Sequence, residues 1–172
     1  DKTIGINTAN TTTITNSTIT VDTGGIAINS NNDITLKNST ITGSSGTGIS
    51  HTSVAGKPGA VATVEANVFK TLNTAITFAG NSVVNAKENT IEECGSATAT
   101  TVIEANSTNT SAFTNNTIQN TNAKSYAFKV IAAGTLNANF NNIVNNTLNV
   151  ERTAGTANFK LNWWGTPDGA AT

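Results

Sequence analysis

Asn16-Ser17-Thr18-Ile19 returns as Asn38-Ser39-Thr40-Ile41, as Glu88-Asn89-Thr90-Ile91 and as Asn115-Asn116-Thr117-Ile118. A degenerate copy stands at Ala66-Asn67-Val68-Phe69. The apolar residues that close these phrases are Ile19, Ile41, Phe69, Ile91 and Ile118, and they recur at intervals of about 22–28 residues. Self-similarity at such a period marks a repeat architecture, in which each unit buries its apolar face only by stacking on its neighbours.

Each period holds the same parts. A short alternating run precedes the anchor, as in Ile34-Thr35-Leu36 or Thr63-Val64. A few strand-like residues and a Gly/Ser-rich turn follow it, and then a further run such as Gly25-Ile26-Ala27-Ile28 or Ala75-Ile76-Thr77-Phe78. Period-two alternation places one face of each run inside. Three short strands in about 22–28 residues describe one coil of a parallel β-solenoid.

Stacking the coils predicts columns. One inward column reads Ile19, Ile41, Phe69, Ile91, Ile118, Val144 and Trp164. Val144 is preferred over Leu148 because the stretch from Leu148 to Trp164 is too short for three strands and three turns. A second column reads Ile14, Leu36, Val64, Ala86 and Phe113. Two residues before the first column stand Ser17, Ser39, Asn67, Asn89, Asn116, Asn142 and Asn162. Asn tolerates left-handed backbone at a tight bend. Its amide can also bond its counterpart one coil away, about 4.8 Å along the axis. Asn67, Asn89, Asn116, Asn142 and Asn162 are therefore the expected structural ladder.

Composition agrees. The chain has 27 Asn and 33 Thr among 172 residues, so helix is disfavoured and strand and turn are favoured. Only 11% of residues are charged and the net charge is −1. No basic stripe for nucleic acid and no polybasic membrane patch is present. No apolar run is long enough to span a bilayer. Cys94 is the only cysteine, which excludes a disulfide framework. The chain opens at Asp1 and is expected to be a mature protein or a module of a longer one.

The pattern resembles the right-handed parallel β-helix family, the pectate-lyase-like superfamily, whose turn between two sheets carries an Asn ladder. The resemblance covers Ile14 to Trp164. The closing phrase Asn162-Trp163-Trp164-Gly165-Thr166-Pro167 is similar to the terminal motif of β-helix repeats in adhesin-like and S-layer-associated proteins. The resemblance implies an all-β, single-stranded right-handed parallel β-helix of six to seven coils, about 30 Å long. One domain would occupy residues 1–172, with 162–172 as a C-terminal cap. It further implies a secreted or cell-surface location, and polysaccharide or another surface protein as partner.

Candidate chemistry is sparse. Ten carboxylates scatter along the columns, and the densest group is Glu88, Glu92 and Glu93 on one coil. Glu92 follows an inward residue and so faces out. The only arginine, Arg152, is no lyase base, and His51 has no Ser or Asp arrangement around it in sequence. Lys37, Glu65 and Lys87 fall in one column and suggest a stacked charge ladder. Thr18, Thr20, Thr40 and Thr42 form a flat hydroxyl array of the ice-binding kind, interrupted after two coils by Val68 and Lys70. Trp164 is expected to plug the last coil. Trp163 faces the other way and covers the Gly165-Thr166-Pro167 turn or stacks on a sugar ring. The candidate ligand contacts are thus Trp163, Thr18, Thr20, Thr40 and Thr42. No catalytic residue, metal site or cofactor is expected. The favoured reading is a non-enzymatic surface module of the adhesin or S-layer type that displays turns, spaces a longer protein or touches glycans; the alternative is a carbohydrate-active lyase or hydrolase, or a fragment of one, with ice binding behind both.

Overall fold

The structure, a computed structural model, describes residues 4–53, 59–98 and 100–165. The first coil consists of β1 (Ile4–Thr8), β2 (Thr12–Thr15) and β3 (Thr18–Val21). The second holds β4 (Ile26–Ser30), β5 (Ile34–Lys37) and β6 (Thr40–Gly43), and the third β7 (Thr47–Thr52), β8 (Val61–Glu65) and β9 (Val68–Lys70). Then follow β10 (Thr74–Gly80), β11 (Val83–Lys87) and β12 (Thr90–Glu92), and β13 (Thr101–Ser107), β14 (Thr110–Thr114) and β15 (Thr117–Gln119). The sixth coil is β16 (Tyr126–Val130), β17 (Thr135–Asn139) and β18 (Asn142–Val144), and the seventh adds β19 (Leu148–Arg152) and β20 (Thr156–Asn158). Every third strand pairs in parallel, giving two seven-stranded sheets and one of six strands. The described residues form an all-β parallel solenoid with three strands per coil.

The inward columns meet in one narrow core. Ile19, Ile41, Phe69, Ile91 and Ile118 align in the third sheet. Ile14, Leu36, Val64, Ala86 and Phe113 align in the second, and Ala138 continues them. Ile28, Ile49, Ile76, Ile103 and Phe128 form the first-sheet column. From Leu36 and Ile41 onward these side chains are almost entirely buried. Aromatic rings fill the C-terminal half: Phe78, Phe113, Phe128 and Phe159 follow one another at centroid distances of 6.1, 5.7 and 5.1 Å.

The sixth coil departs from the sequence reading. Ile118 pairs with Ile143, so Val144 faces outward, opposite Gln119. The ladder residue is accordingly Asn141 and not Asn142: its Oδ1 accepts from the Asn116 backbone N–H at 2.9 Å. Asn142 lies on the outward face in register with Thr117. The inward column therefore runs from Ile118 through Ile143 to Trp164, with Asn142 bridged to Trp163 beside it.

The ladder is a directional chain of amides. The backbone N–H groups of Ser39, Asn67, Asn89, Asn116 and Asn141 donate to the side-chain oxygens of Asn67, Asn89, Asn116, Asn141 and Asn162, one coil on, at 2.8–2.9 Å. Each Nδ2 bonds back to a carbonyl of the preceding coil, as Asn89 does to Val64 at 2.9 Å. In the first two coils a hydroxyl replaces the amide, and Ser17 N–H donates to Ser39 Oγ. Asn67, Asn89, Asn116 and Asn141 are buried, so each satisfied donor avoids a desolvation cost of about 1–3 kcal/mol.

The left-handed backbone sits one residue before the ladder, not on it. Asn16, Asn38, Ala66, Glu88, Asn115, Phe140 and Leu161 all have φ between 49° and 59°. The far end of the third sheet turns the same way at Thr71, Glu93, Asn120 and Asn145. There Asn146 repeats the ladder chemistry, with Oδ1 on Thr121 N–H and Nδ2 on the Ile118 carbonyl. The first-sheet strands from β4 to β16 also break strict alternation, because successive residues are buried near their starts, as in Ala27-Ile28 and Ala75-Ile76. The first of the two is small in β4, β7, β10 and β16, where Ala27, Gly48, Ala75 and Ala127 stand, and a Cβ on Gly48 would lie 2.5 Å from the Ala75 carbonyl oxygen; in β13 it is Val102.

Candidate functional site

The four candidate threonines share the outward face of the third sheet. Thr18 stands beside Thr40 and Thr20 beside Thr42 on adjacent coils. In the next coil Val68 and Lys70 follow them, and then Thr90 and Glu92, so bulk and charge end the flat array after two coils. Thr42 Oγ1 lies 3.4 Å from Thr71 Oγ1 at the adjoining corner. Thr20 and Thr42, with Val21, Asp22, Gly43, Ser44 and Thr71, line an open depression of about 600 Å³. Val21 and Gly43 are the buried members of its lining, and the others supply hydroxyls and one carboxylate.

Trp163 is far from this face along the axis. Its N–H donates to the Asn141 carbonyl and its own carbonyl accepts from Ile143, which fixes the last turn on the sixth coil. The indole is 52% exposed, beside the corner that carries Phe140 at 59% and Leu161 at 72%. Trp164 is half-buried and packs against Phe159 with the rings tilted at 43° and their centroids 6.3 Å apart, so it covers the end of the core rather than filling it. Thr166 and Pro167, which the cap reading invoked, lie outside the described residues.

The acidic group does not converge. Glu88 and Glu93 occupy left-handed positions at opposite ends of β12, so they point from different corners. Lys70 reaches Glu92 at 3.1 Å and Glu93 at 3.5 Å, while Gln119 Nε2 donates to Glu92 at 3.2 Å. Hydrogen bonding to Lys70 lowers the pKa of Glu92, and the same pairing raises that of Lys70. In the column Lys37, Glu65, Lys87 the first pair closes at 2.7 Å and lowers the pKa of Glu65. Lys87 turns instead to Glu88 at 2.9 Å.

Sequence reasoning missed a further pair on the first sheet, Lys129 with Glu151 at 2.6 Å, beside Glu104 one coil back. Their column was legible from the repeat spacing, since Glu104, Lys129 and Glu151 follow the inward Ile103, Phe128 and Val150. Arg152 is occupied by the Gly155 carbonyl. Cys94 is buried, and desolvation pushes its thiol up to about 12, so it is inert at neutral pH. Among the described residues no three His, Cys, Asp or Glu side chains group to hold a metal ion, and no helix is long and apolar enough to cross a membrane.

A family model of the right-handed β-helix region matches residues 2–163. Neither curated proteins nor solved structures provide a match. With its repeats, its three parallel sheets and this match over nearly the whole length, the chain belongs to the right-handed β-helix family.

Proposed function

We propose that the chain is a non-enzymatic module of a secreted or cell-surface protein, of the adhesin or S-layer type, that presents its outer faces to polysaccharide or to another surface protein. The observation that carries this reading is how the charges are used. Glu65, Glu88, Glu92, Glu93 and Glu151 each lie within 3.5 Å of a lysine. Glycoside hydrolysis needs two carboxylates facing one bond, one of them protonated near neutral pH. Here the pairing holds Glu65 and Glu92 on the ionised side, which suits register and not proton donation.

Between these ion pairs the outer faces carry many hydroxyls and amides at strand spacing. Such groups exchange single, weak hydrogen bonds with the hydroxyls of an extended glycan. The exposed Trp163 ring offers an apolar face for a sugar ring, and the Thr20–Thr42 depression offers hydroxyls around Asp22.

The test is retention of the pure protein on a panel of insoluble and immobilised polysaccharides, with released reducing and unsaturated ends assayed in the same tubes. The expected result is retention without release, weakened about tenfold, or by about 1.4 kcal/mol, in Trp163→Ala or in the Thr20→Val/Thr42→Val pair. Released ends would replace this reading with a carbohydrate-active enzyme. Absence of both retention and release would leave a spacer whose partners are proteins.

A further inference from the structure

His51, the chain's only histidine, points inward from β7 and is 0% exposed. Its column along the first sheet is polar for three coils, at Thr8, Ser30 and His51, and apolar for the next three, at Phe78, Ala105 and Val130. Imidazole Nε2 lies 3.1 Å from the carbonyl oxygen of Ala60, the residue that precedes β8. That same oxygen accepts the Val83 backbone N–H of the next coil at 2.8 Å. The following residue, Val61, donates its N–H to Asp33 Oδ1 at 2.8 Å. The leading end of β8 is thus pinned to β7, to β11 and to Asp33 within two residues.

Nδ1 of His51 is buried without a hydrogen-bond partner. A neutral ring with its proton on Nε2 serves Ala60 and leaves Nδ1 as a bare acceptor; the tautomer follows from that geometry. A proton on Nδ1 would put a full charge inside the core, a cost that the neighbouring Ser30 backbone and the Asp33 carboxylate offset only in part. Around the ring, β4 contributes Ser30, β10 contributes Phe78 and the start of β8 contributes Ala60. Among the described residues the one charged group facing it is Asp33, just before β5, and burial outweighs the attraction of that carboxylate.

We propose that His51 is an acid-sensitive fastening for the leading end of β8. Neutral, it holds the Ala60 carbonyl at the junction of the third and fourth coils. Protonated, it leaves the core, and the hydrogen bonds around Ala60 and Val61 open with it, while the distant coils stay paired. The sign follows from the ring's preference for neutrality in the fold. The contribution is full above the unfolded value of 6.5 and is lost as pH falls below it, down to the folded value.

The test is amide exchange at Val61 and Val83 between pH 8 and 5, corrected for intrinsic rates, with Phe128 and Ala138 as distant controls. If opening frees an ordinary imidazole, protection at Val61 and Val83 falls about tenfold per pH unit below about 6.5, and the controls do not change. His51→Gln keeps a donor for Ala60 and should flatten that dependence. An equal slope in His51→Gln would overturn the proposal. Should that variant fail to fold, the single imidazole resonance of the unmodified protein decides. A ring that titrates at 6.5 while Val61 and Val83 remain protected overturns it. A ring that titrates lower, together with loss of that protection, supports it.

Discussion

The side-chain oxygen of Asn141 accepts the backbone N–H of Asn116, and the backbone N–H of Asn141 donates in turn to Asn162. This single relationship sets the register of the sixth coil. It selects one of two adjacent asparagines, turns Ile143 inward and sends Val144 out.

Asn141 and Asn142 therefore make a matched pair of substitutions. Asn141→Ala strands the buried Asn116 N–H and should cost about 1–3 kcal/mol. Asn142→Ala changes an outward side chain and should stay within about 0.5 kcal/mol. Urea unfolding of the two variants checks the register directly, because the opposite ranking would restore Val144 to the core.

Ala66 holds φ at 55° where Asn16, Asn38 and Asn115 stand in other coils. An alanine in that region is strained by about 1–2 kcal/mol, and a glycine forfeits part of the relief through the freedom of its unfolded chain. Ala66→Gly should stabilise the protein by about 0.5–1 kcal/mol. A β-branched replacement, Ala66→Val, should destabilise it. Paired thermal melts read both signs.

Cys94 should behave as a core residue. With its thiol pushed up to about 12, the thiolate fraction at pH 8 is about one part in ten thousand. An aromatic disulfide reagent is expected to label it only as fast as the fold opens. Labelling in native buffer at the rate of a free thiol would place Cys94 outside the core.

Phe113 and Trp164 should rank by burial and not by size. Phe113 is fully buried between Phe78 and Phe128, and truncation to alanine should cost about 3–5 kcal/mol. Trp164 packs on Phe159 while remaining half-exposed, so Trp164→Ala should cost about 1–3 kcal/mol. Denaturant midpoints of the two variants distinguish a terminal cover from a buried plug.

Much of this was legible in the residues alone. The phrase Asn-Ser-Thr-Ile encodes its own corner: an exposed residue that tolerates left-handed backbone, a polar residue turned inward, an outward threonine and a buried anchor. Its recurrence fixed the coil length, the columns ending in Ile118 and Phe113, and the outward placement of Thr18, Thr20, Thr40 and Thr42. The sixth coil misled because Phe140-Asn141-Asn142-Ile143-Val144 offers two amides and two aliphatics in tandem. The rival phrase Asn145-Asn146-Thr147-Leu148 belongs to the opposite corner, where Asn146 bonds across coils in the same way and Leu148 opens a first-sheet strand beside Tyr126.

The sequence by itself determined that this chain is a coil repeated with short strands and amide-lined corners, because spacing and residue chemistry recur along one dimension. The tertiary structure decided which neighbours meet. It chose Asn141 over Asn142, turned Lys87 from Glu65 to Glu88, and closed His51 over the Ala60 carbonyl. Asn116 and Asn141 are a coil apart in sequence, while Lys87–Glu88 and His51–Ala60 are local contacts whose choice depends on how the coils around them stack, so each is settled only when those coils are in place.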